Sequence, residues 1–129
     1  MIILDLPYPP SVNTYWRHAT IKGQQRVLIS EAGRKYRKAV YEAVLMAAPS
    51  QRRVAAGRLE VGIKAYMPDR RARDLDNLPK ALLDSLTNAG VIADDSLIDR
   101  LVIERGPIVK GGKARVYIDA FTEIEEIDK

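Results

Sequence analysis

A short run of charged residues in the middle of the chain has the composition of a metal site for a phosphodiester. Asp74 and Asp76 stand one residue apart just before a predicted helix, and Lys80 follows one helical turn later. Residues i and i+2 of an extended segment point to the same side, so both carboxylates face one spot if residues 74–76 are extended. Mg²⁺ binds carboxylate oxygens together with water and phosphate oxygens. The spacing therefore predicts a magnesium site at Asp74 and Asp76, with Lys80 stabilising charge on the phosphate.

A second acidic pair, Asp94 and Asp95, follows the predicted helix. A helix of about 12 residues is ~18 Å long. Asp95 therefore meets Asp74 only if the chain from Gly90 to Asp95 runs back along the helix, a distance that five extended residues can cover. A single site therefore predicts this return, which would bring the second acidic pair to Asp74, Asp76 and Lys80.

Basic residues near this acidic set are candidates for contacts with a phosphate backbone, the main source of DNA affinity. They are Arg17, Arg70, Arg71, Arg73, Lys110 and Lys113. Structural alternatives exist for each group. In the structural alternative, the arginines of residues 70–73 are ordinary solvated surface charge, and Lys110 belongs to an ordinary Gly-Gly hairpin turn. In the same way, Asp76 is alternatively a helix cap, and Lys80 alternatively forms an i,i+4 salt bridge with Asp84.

The composition is that of an ordinary globular domain, with 47% hydrophobic and 29% charged residues. The 129 residues predict a single domain over 1–129. No apolar run approaches ~18 residues and no basic leader opens the chain, so neither a membrane span nor a secretory signal is expected. The absence of cysteine excludes zinc–thiolate sites and cysteine nucleophiles, and it fits a cytoplasmic setting. A net charge of +4 permits binding to nucleic acid.

Hydrophobic periodicity predicts two main helices and four or five strands. Strands are expected at residues 2–6, 25–29, 58–66, 97–104 and 114–121, helices at 31–48 and 77–89, and loops at 11–23 and 50–57. Ser30 is a predicted N-cap, and Gly90 is a predicted helix terminator. The order β(β)αβαββ predicts a two-layer α+β domain. Its sheet is mixed and mostly antiparallel, and the two helices cover one face.

Several of these segments resemble the RusA family of Holliday junction resolvases. The similarity begins at the proline-rich residues 6–13 and is strongest over residues 67–77, whose sequence is MPDRRARDLDN. It continues through Lys80, Asp84, residues 86–90 and Asp94-Asp95 to Lys110-Gly111-Gly112, and so covers nearly the whole chain. Val91 and Ile92 depart from the pattern, because family members can carry aromatic residues there.

The resemblance implies a homodimeric endonuclease of bacterial or prophage origin that nicks four-way DNA junctions symmetrically in recombination and repair. It implies Mg²⁺ as the cofactor, with Mn²⁺ able to substitute. Asp74, Asp76 and Asp95 match the metal-binding aspartates of the family, Lys80 its essential lysine, and Asp94 a neighbouring acidic position.

Two other functions remain open on the residues alone. In a junction- or DNA-binding protein without catalysis, the acidic residues would lie apart from one another, and magnesium would change nothing. A metal-dependent nuclease for another branched or single-stranded substrate would keep the same site, because phosphate contacts do not report the shape of a junction.

Overall fold

The computed structural model describes residues 1–54 and 56–122. In chain order the elements are β1 (Ile2–Leu6), α1 (Val12–Tyr15), β2 (Trp16–Ile21), β3 (Gln24–Ile29), α2 (Glu31–Met46), β4 (Leu59–Tyr66), α3 (Pro79–Asn88), β5 (Ile98–Arg105) and β6 (Lys113–Ala120). Short 3-10 turns cover Pro49–Gln51, Leu75–Asn77 and Asp95–Leu97. None of the helices described is long and apolar enough to cross a membrane.

Four strands form the main sheet in the order β1-β6-β4-β5. β6 pairs antiparallel with both β1 and β4, whereas β4 and β5 are parallel. The predicted α+β fold with a mixed, mostly antiparallel sheet is confirmed. Parallel neighbours need a crossover, and α3 supplies it between β4 and β5. The crossover decides which end of the sheet each candidate residue occupies.

The core lies between one face of this sheet and the helices α2 and α3. The inward residues of β4 and β6 alternate as predicted, and Val61, Ile63, Val116 and Ile118 are almost completely buried. The helices contribute residues at helical spacing, including Val40, Val44, Leu82 and Leu86. Each such side chain stabilises the fold by about 1.5–3 kcal/mol through burial.

Both helices begin or end where the sequence predicts. The Ser30 hydroxyl accepts a hydrogen bond of 2.9 Å from the Gly33 backbone N–H, which caps α2. Gly90 has a φ of +79°, the left-handed conformation that ends a helix at low cost in glycine, and its N–H donates to the Thr87 carbonyl. These contacts fix both ends of the helical layer.

The prediction of a loop over residues 11–23 is wrong. That segment forms α1 and then β2, which pairs with β3 in a separate two-stranded sheet. Lys22 and Gly23, both at positive φ, make the tight turn of this hairpin. The second strand, β3, agrees with the strand predicted at residues 25–29. The first strand, β2, was missed because nearly all of it is exposed on both faces, so no apolar side alternates with a polar one.

Candidate metal and nucleic-acid site

The two central carboxylates lie on a turn whose apolar residues hold it against the sheet. Asp74 is extended, with φ −87° and ψ 134°, and Asp76 lies in the 3-10 turn that follows. Leu75 and Leu78 pack inward on the small buried cluster around Met67. Because the leucines face the core, Asp74 and Asp76 are left exposed. The local sequence thus presents both acids to solvent at the N-terminal end of α3, where the helix dipole favours negative charge.

Neither carboxylate is occupied by a structural contact in the described part of the chain. No side-chain capping bond is made at the Leu75–Asn77 turn or at the start of α3. Lys80, the second residue of α3, is also exposed. The salt bridge between Lys80 and Asp84, considered as an alternative, does not form, because Asp84 pairs with Arg37. Asp74, Asp76 and Lys80 therefore remain available to a ligand.

A cleft of about 390 Å³ opens beside Asp74. It is lined by Tyr8, Pro9, Ser11, Ala72, Arg73, Asp74, Asn77 and Leu78. The proline-rich segment after β1 forms one wall and the acidic turn forms the other. The two segments that carry the strongest sequence motifs are therefore brought together in space.

Asp69 organises the basic loop that precedes Asp74. Its carboxylate accepts a 2.9 Å hydrogen bond from the Arg71 backbone N–H and pairs with the Arg73 guanidinium. The pair with Arg73 and the Arg71 N–H lower the pKa of Asp69 to about 2. Arg73 is thus engaged in the loop itself, whereas the side chains of Arg70 and Arg71 are exposed. Asp69 is therefore a structural residue of this turn.

The other predicted phosphate contacts lie on different elements. Lys110 is exposed in the turn between β5 and β6. The same turn packs on the cleft residue Tyr8, since a Cβ on Gly112 would come within 2.9 Å of the Tyr8 side chain. Lys113 is half-buried, with its ammonium 4.8 Å from the centre of the Tyr66 ring. Arg17 is exposed in β2.

Asp94 and Asp95 lie at the other end of α3. The segment after the helix stays there, because the Val91 N–H donates to Leu86 and the chain then enters β5. β5 starts beside Leu59, the first residue of β4. The Asp94 carboxylate accepts from the Ser96 N–H at 3.3 Å, which lowers the pKa of Asp94.

The expected return of residues 90–95 along α3 is therefore wrong. The Arg58 guanidinium, at the start of β4, donates to the Ser96 carbonyl at 3.0 Å. At the opposite end, the Arg105 guanidinium donates to the Arg73 carbonyl. The eight residues of β5 separate these two points by about 26 Å. In agreement, no three His, Cys, Asp or Glu side chains within residues 1–54 and 56–122 are arranged to hold one metal ion.

One polar cluster was not anticipated from the sequence. Tyr15 is fully buried, and its hydroxyl donates to Asp84 of α3. The Arg37 guanidinium of α2 bonds the same Asp84 oxygen at 2.7 Å and the Tyr15 hydroxyl at 2.9 Å. Burial, with the neighbouring Asp84 carboxylate, raises the pKa of Tyr15. The cluster locks α3 to α2 and to the root of the β2–β3 hairpin, and sequence periodicity carries no signal for such distant partners.

Comparison with known proteins adds an independent finding. A family model described as "Endodeoxyribonuclease RusA" matches residues 7–120. The crossover junction endodeoxyribonuclease rusA of Enterobacteria phage HK97 is 43% identical over 122 residues, which cover 95% of this chain and 94% of the relative. The corresponding proteins of Shigella sonnei (strain Ss046) and Escherichia coli (strain K12) are 38% and 37% identical over 115 residues, which cover 89% of this chain and 91% of each relative.

Proposed function

Because this chain belongs to the RusA family of endodeoxyribonucleases, we propose that it resolves four-way DNA junctions by paired, symmetric nicks. The relatives named above are crossover junction endodeoxyribonucleases. The observation that carries the proposal is the pair of exposed carboxylates, Asp74 and Asp76, which have no partner among the described residues. Asp74 lines a cleft beside a basic loop, and Asp76 lies on the turn that follows. Carboxylates without a cation would repel a DNA phosphate, so their position calls for a metal ion.

The donor chemistry of the site fits Mg²⁺. Asp74 and Asp76 offer hard oxygen ligands, no described contact occupies them, and the chain has no cysteine to supply a thiolate. When bound, Mg²⁺ supplies an activated water and neutralises charge on the phosphate oxygens. Mn²⁺ accepts the same oxygen ligands and is expected to substitute.

A homodimer explains why Asp95 lies so far from the other two aspartates. β5 is an edge strand of the sheet, and no described strand pairs with its outer side. Leu101 and Val102 on this edge are 40% and 53% exposed. The unpaired backbone N–H and C=O groups of an edge strand are a template for pairing with another chain. We infer that two copies pair through β5 across a twofold axis.

Antiparallel pairing of the two β5 strands also completes the acidic set. It puts the start of one strand against the end of the other. The partner's Asp95 then approaches the end of β5, where Arg105 bonds the carbonyl of Arg73 and Asp74 follows. Each metal would be held by Asp74 and Asp76 of one chain and the partner's Asp95. A dimer would contain two such sites, one for each strand that is cut.

The remaining residues of the site bind and orient the DNA. The exposed Lys80 ammonium, on the first turn of α3, stabilises negative charge on the phosphate. Arg70, Arg71 and Lys110 are exposed near the cleft and contact flanking phosphates. Arg73 acts mainly through its pair with Asp69, which shapes the loop before Asp74.

The proposal is tested by magnesium titration with a labelled synthetic four-way junction, read on a denaturing gel beside a linear duplex. We expect paired nicks at symmetric positions on the junction alone. Asp76→Asn should lower the single-turnover rate by at least about 100-fold, because it removes a charged ligand, and should leave junction binding intact. The matched control is Asp119→Asn, an aspartate in β6 on the far side of the sheet, which should cut normally.

Three outcomes would count against the proposal. Binding without cleavage at any magnesium concentration would favour a binding protein without catalysis. Cleavage of linear or single-stranded DNA as fast as junctions would support magnesium-dependent hydrolysis of DNA but would exclude the four-way junction as the specific substrate. A fully active Asp76→Asn variant would reject the site.

A further inference from the structure

The β2–β3 hairpin has no packing partner along most of its length. Every residue of 17–27 except Ala19 is exposed, and only the basal residues Trp16 and Ile29 pack on the main core. An isolated two-stranded hairpin is marginally stable in water. A hairpin of this kind does little for the core, so its role is to be sought in what it contacts outside the chain.

The charge of the hairpin is of one sign. Residues 16–29 contain Arg17, Lys22 and Arg26 but no aspartate or glutamate. Arg17 pairs across the hairpin with Leu28, and Arg26 with Ala19, so both guanidiniums lie on the same face. Lys22 lies at the tip.

None of these three cations is neutralised by a carboxylate within the described residues. The hydrogen bond of Arg26 goes to the amide oxygen of Gln24, at 3.3 Å. Five other arginines of the chain do form ion pairs. They are Arg37, Arg58, Arg73, Arg100 and Arg115. The hairpin thus carries free positive charge on a surface that projects from the core.

The root of the hairpin is rigid and close to the candidate active site. The Ser30 hydroxyl and backbone N–H both donate to the Tyr15 carbonyl, each at 2.9 Å, which joins the two ends of the hairpin. Tyr15 is in turn bonded to Asp84 on α3, the helix that carries Lys80. Ser11, a few residues before the hairpin, lines the cleft beside Asp74.

We propose that the β2–β3 hairpin is an arm that grips one double-helical arm of the DNA substrate, with Arg17 and Arg26 on its phosphates. A two-stranded ribbon fits the major groove, which is about 12 Å wide, and six-residue strands reach about 20 Å. The rigid root lets the arm hold the duplex in a set position relative to Asp74. This inference rests on the proposed nuclease function, and the arm contributes to affinity and placement rather than to the chemical step.

The test is the double variant Arg17→Gln/Arg26→Gln, in which both side chains keep most of their length. The matched control, Lys38→Gln/Arg53→Gln, removes two exposed positive charges outside the hairpin. Junction binding is measured by fluorescence anisotropy without magnesium over a range of KCl concentrations. Cleavage is then measured in single turnover with protein in excess, and circular dichroism checks that both variants fold.

The arm predicts at least 10-fold weaker junction binding in the hairpin variant and a salt slope smaller by about 2, because two phosphate contacts are lost. The control should bind within threefold of the unchanged protein, and at saturation both variants should cleave within twofold of it. Unchanged affinity and slope in the hairpin variant would overturn the inference, as would an equal loss in the control or a loss confined to single strands. Failure of the nuclease proposal would appear separately, as absence of cleavage by the unchanged protein.

Discussion

At the scale of single residues, the aspartates fall into two groups. Asp5, Asp69, Asp84 and Asp99 each pair with an arginine, and these pairs hold strands, loops and helices together. Asp74 and Asp76 have no such partner within the described residues and are exposed, and Asp74 lines a cleft. Pairing with arginine satisfies a carboxylate structurally, whereas an unpaired carboxylate beside a basic loop is free to bind a cation. This difference distinguishes Asp74 and Asp76, the proposed metal ligands, from the four aspartates that pair with arginine.

The pair between Asp69 and Arg73 should be visible in acid titration. The pKa of Asp69 is lowered from its ordinary 3.8 to about 2 by Arg73 and the Arg71 N–H. A lowered carboxyl pKa means that the pair stabilises the loop fully above about pH 4 and loses that effect as the pH falls through about 2. Carboxyl NMR titration should show this pKa, and Arg73→Gln should raise it towards 3.8. A midpoint that stays near 2 in Arg73→Gln would contradict the assignment.

At the scale of elements, α3 controls the position of the site. Its first turn follows Asp76 and carries Lys80, and its middle is tied to α2 and α1 through Asp84. Because α3 crosses between two parallel strands, its two ends lie at opposite ends of the sheet. The acids before and after the helix are therefore separated by the fold itself.

Removal of the Tyr15 hydroxyl should measure how firmly α3 is held. Tyr15→Phe deletes a buried bond to the ionised pair Arg37–Asp84, so we expect a loss of about 1.5–3 kcal/mol in the free energy of unfolding in urea. Tyr41→Phe is the matched control on α2, because Tyr41 is 47% exposed, and its effect should stay within about 0.5 kcal/mol. Equal stability of the two variants would show that the cluster does not hold the helices.

The elements with one buried face were predictable from the sequence, and the contacts between distant segments were not. β4 alternates apolar and polar residues, and the ends of α2 and α3 carry a capping Ser30 and a terminating Gly90. The first strand of the hairpin was missed because neither of its faces is buried. The position of Asp95 was mispredicted because spacing along the chain does not reveal that β5 runs parallel to β4.

At the scale of the whole molecule, the separated acids and the open edge of β5 support one arrangement. In the part of the chain described, a monomer has no third carboxylate placed to complete a metal site with Asp74 and Asp76. It also exposes Leu101 and Val102 on a strand whose outer edge is unpaired. Antiparallel pairing of two β5 strands would supply the third carboxylate and would pair the exposed edge. It would also give the two active sites that symmetric nicking of a four-way junction needs.

Disruption of the β5 edge should reduce dimerisation and junction cleavage while the single chain still folds. Leu101→Lys/Val102→Lys places four positive charges close to the proposed twofold axis, which opposes strand pairing. We expect a folded monomer by light scattering and at least about 100-fold slower junction cleavage, because each metal site loses a ligand. Met46→Lys is the control, since Met46 is 89% exposed on α2. A double variant that stays dimeric and active would place the interface elsewhere.

The most direct test of the shared site uses two inactive chains. Asp76→Asn and Asp95→Asn are co-expressed with different tags, and the heterodimer is isolated by two successive affinity steps. In a shared site, one of the two sites receives Asp74 and Asp76 from the Asp95→Asn chain and an intact Asp95 from the other. The account predicts that the heterodimer nicks one strand of the junction, although neither homodimer cuts. A heterodimer as inactive as the homodimers would contradict it and would exclude a metal site that combines Asp95 of one chain with Asp74 and Asp76 of the other.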